Sequence, residues 1–204
     1  MESCCISPFL TGMVFVMHQD PRGAEAIGNT GGGIGVYGNE EQTIKPAITI
    51  EWDTFENPGR LDVGQNNVHA IQVNEDASLI ELGQTAQVPI RTSDDCKTVG
   101  RMWVEYNCGG NQQINIWNTV TGSDFQPTFP VLSIPAGNLE DFFFQNDNNI
   151  LFVGYTSSIG GQADNHDIYG WQFQEGCRAT DIPPRPAPLA EYEPPKMKLT
   201  KSNS

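Results

Sequence analysis

From Met13 to Phe173 no segment sustains the 3.6-residue apolar period of an amphipathic helix. Short runs rich in β-branched and aromatic residues recur instead, separated by Gly- and Asn-rich connections. The pattern is all-β, and 204 residues suffice for one well-filled sandwich core. Strands are expected over 13–18, 44–55, 68–74, 87–92, 100–106, 113–118, 151–157 and 166–173, with one helical turn over 138–144. Asn107-Cys108-Gly109-Gly110 has tight-turn chemistry, so the strands on either side of it should form a hairpin.

The strand pattern stops near Gln174. Clustered prolines and scarce large aliphatics follow, so residues 1–174 are expected to form one β domain and 175–204 a Pro-rich, disordered linker or tail. Lys and Arg number 11 against 25 Asp and Glu, and the formal net charge of −14 repels phosphate backbones and anionic lipid. Neutral polar ligands or cations suit such a surface better. No apolar run reaches the ~20 residues of a membrane-spanning helix. The N-terminal MESCCISPFLTGMVFVM lacks a basic start and a small-residue cleavage site, so it does not read as a working signal peptide. Among the five cysteines, Cys96 and Cys108 flank a strand so that adjoining strand ends could meet in a disulfide, which suggests an oxidising compartment. Cys4, Cys5 and Cys177 have no assignable pairing.

Chemistry concentrates in IEWDTFENPGRLDVGQNNVH, residues 50–69. Pleat alternation puts Ile48, Ile50, Trp52 and Thr54 on one face and Thr49, Glu51, Asp53, Phe55 and Asn57 on the other. The polar set therefore converges. Asp53, the Phe55 carbonyl, Asn57 and Asp62 offer oxygen ligands of the kind calcium takes, with waters completing the shell. Glu51, Asp53, Asp62 and the imidazole of His69 make a mixed N/O set suited to manganese or a similar transition ion, with Asp53 and Asp62 bridging the pair. Taken singly, each is an ordinary strand or loop residue; their joint order carries the reading.

That order resembles the legume-type (L-type) lectins, whose metal strand and loop run E-x-D-x-[FY]-x-N, then Asp, then His. Glu51, Asp53, Phe55, Asn57, Asp62 and His69 match it in turn. Thr11-Gly12-Met13-Val14-Phe15-Val16 looks like the family's A-D-G strand, Gly31-Gly32-Gly33-Ile34-Gly35 like its G-G-x-L-G loop, and HDIYGWQF from His166 like its closing strand. The segments span most of the chain, and their forms look closer to bacterial and other non-legume members than to plant seed proteins. The resemblance implies a concanavalin A-like jelly-roll sandwich that binds carbohydrate with calcium, secreted or at the cell surface. Its partners would be glycans or glycoproteins, and a homo-oligomer would add avidity. Asn57 would bond sugar hydroxyls, Phe55 would stack on the sugar ring, and Gly32 would donate a backbone N–H. Gly161 and Gln162 sit in the loop that tunes sugar choice in the family.

Two departures matter. The family's sugar-binding aspartate is replaced by Thr11, and so few residues precede it that a sandwich lacking its first strands is expected. A structural or adhesion module without sugar binding is therefore one rival. Glu51-Trp52-Asp53-Thr54-Phe55-Glu56 also satisfies E-x-D-x-x-E of laminarinase-like hydrolases, with Glu51 as nucleophile and Glu56 as acid/base. That reading needs a bulge to bring the two to one face.

Overall fold

Strand β2 (Ala47–Asp53) is buried along its whole length, because both of its faces are covered. The computed structural model describes residues 10–56, 61, 64, 66–88, 100–107, 111–120, 125–145, 150–159, 166–168 and 170–173. Among these residues the other strands are β1 (Leu10–His18), β3 (Asn67–Val73), β4 (Leu79–Gln84), β5 (Arg101–Asn107), β6 (Gln113–Thr119), β7 (Leu132–Pro135) and β8 (Phe152–Ile159). They form a five-stranded sheet, β4-β3-β2-β1-β8, and a three-stranded sheet, β5-β6-β7. Every pairing is antiparallel.

One face of β2 carries Ile48, Ile50 and Trp52. With Phe15, Met17, Val68 and Ala70 they meet Ile114, Ile116 and Ile134 of the smaller sheet. Leu139 and Phe143 of helix α1 (Leu139–Phe143) close that core. Burial contributes about 1.5–3 kcal/mol for each such large side chain. On the opposite face Val14, Val16, Ala47, Ile71 and Val73 are covered by Ile34, Val36, Tyr37 and Ile44. The segment between β1 and β2 thus builds a second core on the outside of the larger sheet.

The expected hairpin is β5–β6, with Trp103 opposite Trp117. The helical turn is α1, capped by the Asn138 side chain, which accepts from the Glu140 N–H, with Glu140 and Asp141 in its first turn. Other expectations need correcting. The strand over 44–55 is shorter, and β4 and β7 were not anticipated. A bulge in the β3–β4 pairing breaks the alternation of LIELGQ, and β7 has only four residues. Gln87 and Val88 lie outside any strand, and 89–92 lie outside the described residues. The described parts of 166–173 take no strand conformation. Trp171 is 53 % exposed and sets its ring edge-on against Tyr155 of β8, with centroids 6.1 Å apart. An apolar pattern states which side chains want cover, not whether a strand lies within bonding reach.

His18 is buried at the end of β1. It stacks on Phe152 at 5.4 Å, and its Nδ1 accepts the Asp20 N–H at 3.2 Å. Asp20 accepts from the Arg22 Nε at 2.8 Å and Nη2 at 2.7 Å, and from the Lys45 N–H at 3.1 Å. Arg22 also donates to the Ile27 and Thr43 carbonyls, tying two loops together. Burial lowers the His18 pKa below its ordinary value; the Asp20 charge opposes this and the Arg22 charge adds to it. Burial alone would raise Asp20, but hydrogen bonds from Arg22 and Lys45 outweigh it and hold the carboxyl below its ordinary range. Both shifts act in one direction. The unfolded chain takes up the His18 proton at about 6.5, before the folded protein does. That contribution is complete above 6.5 and is lost as pH falls through the folded value. Asp20 behaves likewise below about 3.9. Thermal unfolding from pH 7.5 to 5 should show a declining midpoint, and His18→Gln should flatten that decline. Equal slopes in both proteins would refute the assignment.

Candidate functional site

Antiparallel register aligns one row of side chains across the outer face of the larger sheet. Thr156 pairs with Val14, Val14 with Glu51, Glu51 with His69, and His69 with Gln84. One alternation further along β2, Asp53 stands opposite Asn67. Glu51, Asp53 and His69 are 4 %, 2 % and 1 % exposed, so the polar set that alternation brings to one face is buried. The Asp53 Oδ1 accepts the Phe55 N–H at 2.8 Å, an Asx turn that ends β2 and leads the chain out of the sheet. Phe55 is half-buried beyond it, and Glu56 is exposed. Asn57 and Asp62 lie outside the described residues.

Gly12 makes the close approach of β1 to β2 possible. Its φ is +103°, and a Cβ there would lie 2.3 Å from the Trp52 carbonyl oxygen and 3.1 Å from the Asp53 Cα. Only glycine accommodates both the backbone conformation and the contact. The β1–β8 register also shifts between Leu10 and Met13, so Gly12 sits in an irregularity of the strand, next to Thr11.

The glycine loop is a 3-10 turn over Gly31–Gly33, followed by Ile34 in the left-handed region. The N–H groups from Gly33 onward are used internally: Gly33 bonds to Thr30, Ile34 to Gly31, Gly35 to Asn29, and Val36 and Tyr37 to Gly33. The Tyr37 hydroxyl donates to the Glu51 carboxylate and shares a 2.7 Å hydrogen bond with Thr49 Oγ1. From β8, Thr156 Oγ1 donates to the Ile34 carbonyl at 2.7 Å and Ser158 Oγ to the Gly31 carbonyl. Sequence reasoning found Gly32 but not Tyr37, Thr156 or Ser158. The position of Tyr37 just after GGGIG was the one local signal, and only folding brings its hydroxyl to Glu51.

Two buried carboxylates beside an imidazole form a donor set that suits a divalent cation, because a cation would offset the cost of burying their charge. Among the described residues no group of three His, Cys, Asp or Glu side chains is placed to hold a metal ion. The expected ligand sets therefore depend on Asn57 and Asp62. Gly161, Gln162, Cys96 and Cys108 also lie outside the described residues. Among those described, no helix is long and apolar enough to cross a membrane.

The Legume lectin domain model matches residues 6–187. An L-type lectin-domain containing receptor kinase of Arabidopsis thaliana (VIII.1) is 28 % identical over 195 residues, covering 94 % of this chain and 25 % of the kinase. A lectin-like protein of the same plant is 25 % identical over 182 residues, covering 82 % of this chain and 63 % of that protein. The chain thus spans about a quarter of the first relative and under two thirds of the second. The metal-free form of lectin I-B4 from Griffonia simplicifolia superposes with a TM-score of 0.50 at 12 % identity, over 74 % of this chain and 58 % of that one. That likeness bears on the fold, which is the jelly-roll β-sandwich the resemblance implied. Legume lectins bind carbohydrate, are generally non-catalytic and generally bind metal ions. With the family model matching most of its length, this chain belongs to the legume lectin domain family.

Proposed function

We propose that this chain binds glycans in a calcium-dependent manner and performs no catalysis. The observation that carries the reading is the burial of Glu51, Asp53 and His69 on one face of the sheet, beside the turn at which Asp53 directs the chain toward Phe55. Asp53, the Phe55 carbonyl, Asn57 and Asp62 would hold calcium. Glu51, Asp53, Asp62 and His69 would hold a manganese-type ion. Bound there, the metal would supply fixed positive charge that orders the loop and orients the Asn57 amide. A pyranose presents an apolar C–H face and a rim of hydroxyls. The ring of Phe55 suits the first; the Asn57 amide, the Gly32 N–H and the Gly161–Gln162 loop suit the second. Glycans or glycoproteins outside the cell are the natural partners.

Two rivals remain to be separated. Thr11 in place of an aspartate favours a structural module, since a neutral hydroxyl is a weaker acceptor than a carboxylate. The hydrolase reading is disfavoured, because β2 pairs with β1 and β3 without the register shift it requires. Glu51 stays buried against Tyr37, while Glu56 is exposed past the strand end. The test is an array of mannose-, glucose- and galactose-terminated oligosaccharides, probed with calcium and with EDTA. Retention that EDTA abolishes is expected. No retention in either buffer would favour the structural module, and shortened oligosaccharides would favour the hydrolase.

A further inference from the structure

We propose that Thr156 and Ser158 are positioning residues that clamp the glycine loop to β8 and thereby set where the Gly32 N–H meets a glycan; this rests on the lectin reading. Alternation places the two hydroxyls on one face of β8, while Val153 and Tyr155 face the inner core. Their acceptors, the carbonyls of Gly31 and Ile34, bracket Gly32 and Gly33, so the 3-10 turn is held at both ends.

The loop itself needs such a clamp. Gly31 and Gly35 have φ of +60° and +72°, and Ile34 has φ of +50°. Such conformations cost backbone freedom and persist only when the surroundings hold them. A Cβ on Gly35 would lie 3.0 Å from Thr156 Cβ, so loop and strand are already packed together. The Gly31 carbonyl accepts from both Ile34 N–H and Ser158, which couples the turn's own hydrogen bond to the clamp.

The same strand leads directly toward Gly161 and Gln162. One element therefore orders the loop that presents Gly32 and launches the loop proposed to select the sugar. Thr156 and Ser158 act on ligand through the backbone rather than by touching it.

The test uses Thr156→Val, which keeps the β-branched shape and removes the hydroxyl, with Ser158→Ala and the conservative Thr156→Ser. Amide hydrogen exchange at Gly33, Ile34 and Gly35, read by NMR in the ligand-free protein, should quicken about tenfold in the first two variants, the loss of one hydrogen bond. Exchange in the β1–β2 ladder should stay unchanged, and Thr156→Ser should restore the wild-type rates. Retention on the calcium-loaded oligosaccharide array should fall by about tenfold in parallel. Unchanged loop exchange would overturn the proposal, and so would faster exchange with undiminished retention. If the wild type retains no oligosaccharide, faster loop exchange still upholds the clamp, and the lectin reading alone fails.

Discussion

Gly12→Ala should lower the stability of the folded chain by about 3–5 kcal/mol, summing the costs of a strained backbone and an overpacked contact. At φ +103° the residue is in a conformation that L side chains rarely adopt, and the added methyl would sit 2.3 Å from the Trp52 carbonyl. Trp52 is 1 % exposed and fixed by the core on its other side, so β2 cannot retreat. The strand β1 must yield instead, and it carries Val14 and Val16 into the outer core and Phe15 and Met17 into the inner one. For a chain of this size the melting midpoint should drop by on the order of 10 °C. Calcium-dependent oligosaccharide retention should fall with it, since Asp53 lies directly beneath the contact. A variant that melts within a degree or two of wild type would show that β1 can rebuild the irregularity at little cost.

Asp53→Asn should abolish calcium-dependent glycan retention, by at least about 100-fold, while leaving the metal-free fold nearly intact. The amide oxygen can still accept the Phe55 N–H that ends β2. What disappears is the negative charge, which a hard cation needs from its ligands. Replacing a buried carboxylate by a neutral amide should leave stability in EDTA within about 1 kcal/mol of wild type, or slightly raise it. Asp53→Ala also removes the turn's hydrogen bond and should be destabilised by roughly a further 1 kcal/mol. The checks are melting curves with calcium and with EDTA, beside the oligosaccharide array. Wild type should gain several degrees from calcium and Asp53→Asn should gain none. A calcium response that survives in Asp53→Asn would remove Asp53 from the ligand set.

The central strands were legible because their residues are locally consistent. Ile48, Ile50 and Trp52 alternate with Thr49, Glu51 and Asp53, and only a pleated strand sorts them into two sets. The alternation did not reveal that the second set is buried as deeply as the first. That outcome depends on Ile34, Val36, Tyr37 and Ile44 folding back over the sheet, a contact between segments that no local period encodes. β4 and β7 were missed for a related reason: a bulge in the β3–β4 pairing blurs the alternation of one, and the other is only four residues long. The segment 166–173 departs the other way: its described residues take no strand conformation, and its aromatic alternation is satisfied in part by Trp171 resting on Tyr155.

The candidate site divides along the same line. Order and residue type in Glu51, Asp53, Phe55, Asn57, Asp62 and His69 marked these side chains as candidate metal ligands, because ligand chemistry is a property of side chains and their spacing along one strand and its loop. The sequence by itself therefore determined the fold class, the family resemblance and the identity of the candidate ligands. Tertiary structure decided which distant groups serve them: His69 beside Glu51 through antiparallel register, Tyr37 on the Glu51 carboxylate, and Thr156 and Ser158 on the glycine loop. Those contacts join residues far apart in the chain, so they exist only once the sheets have closed.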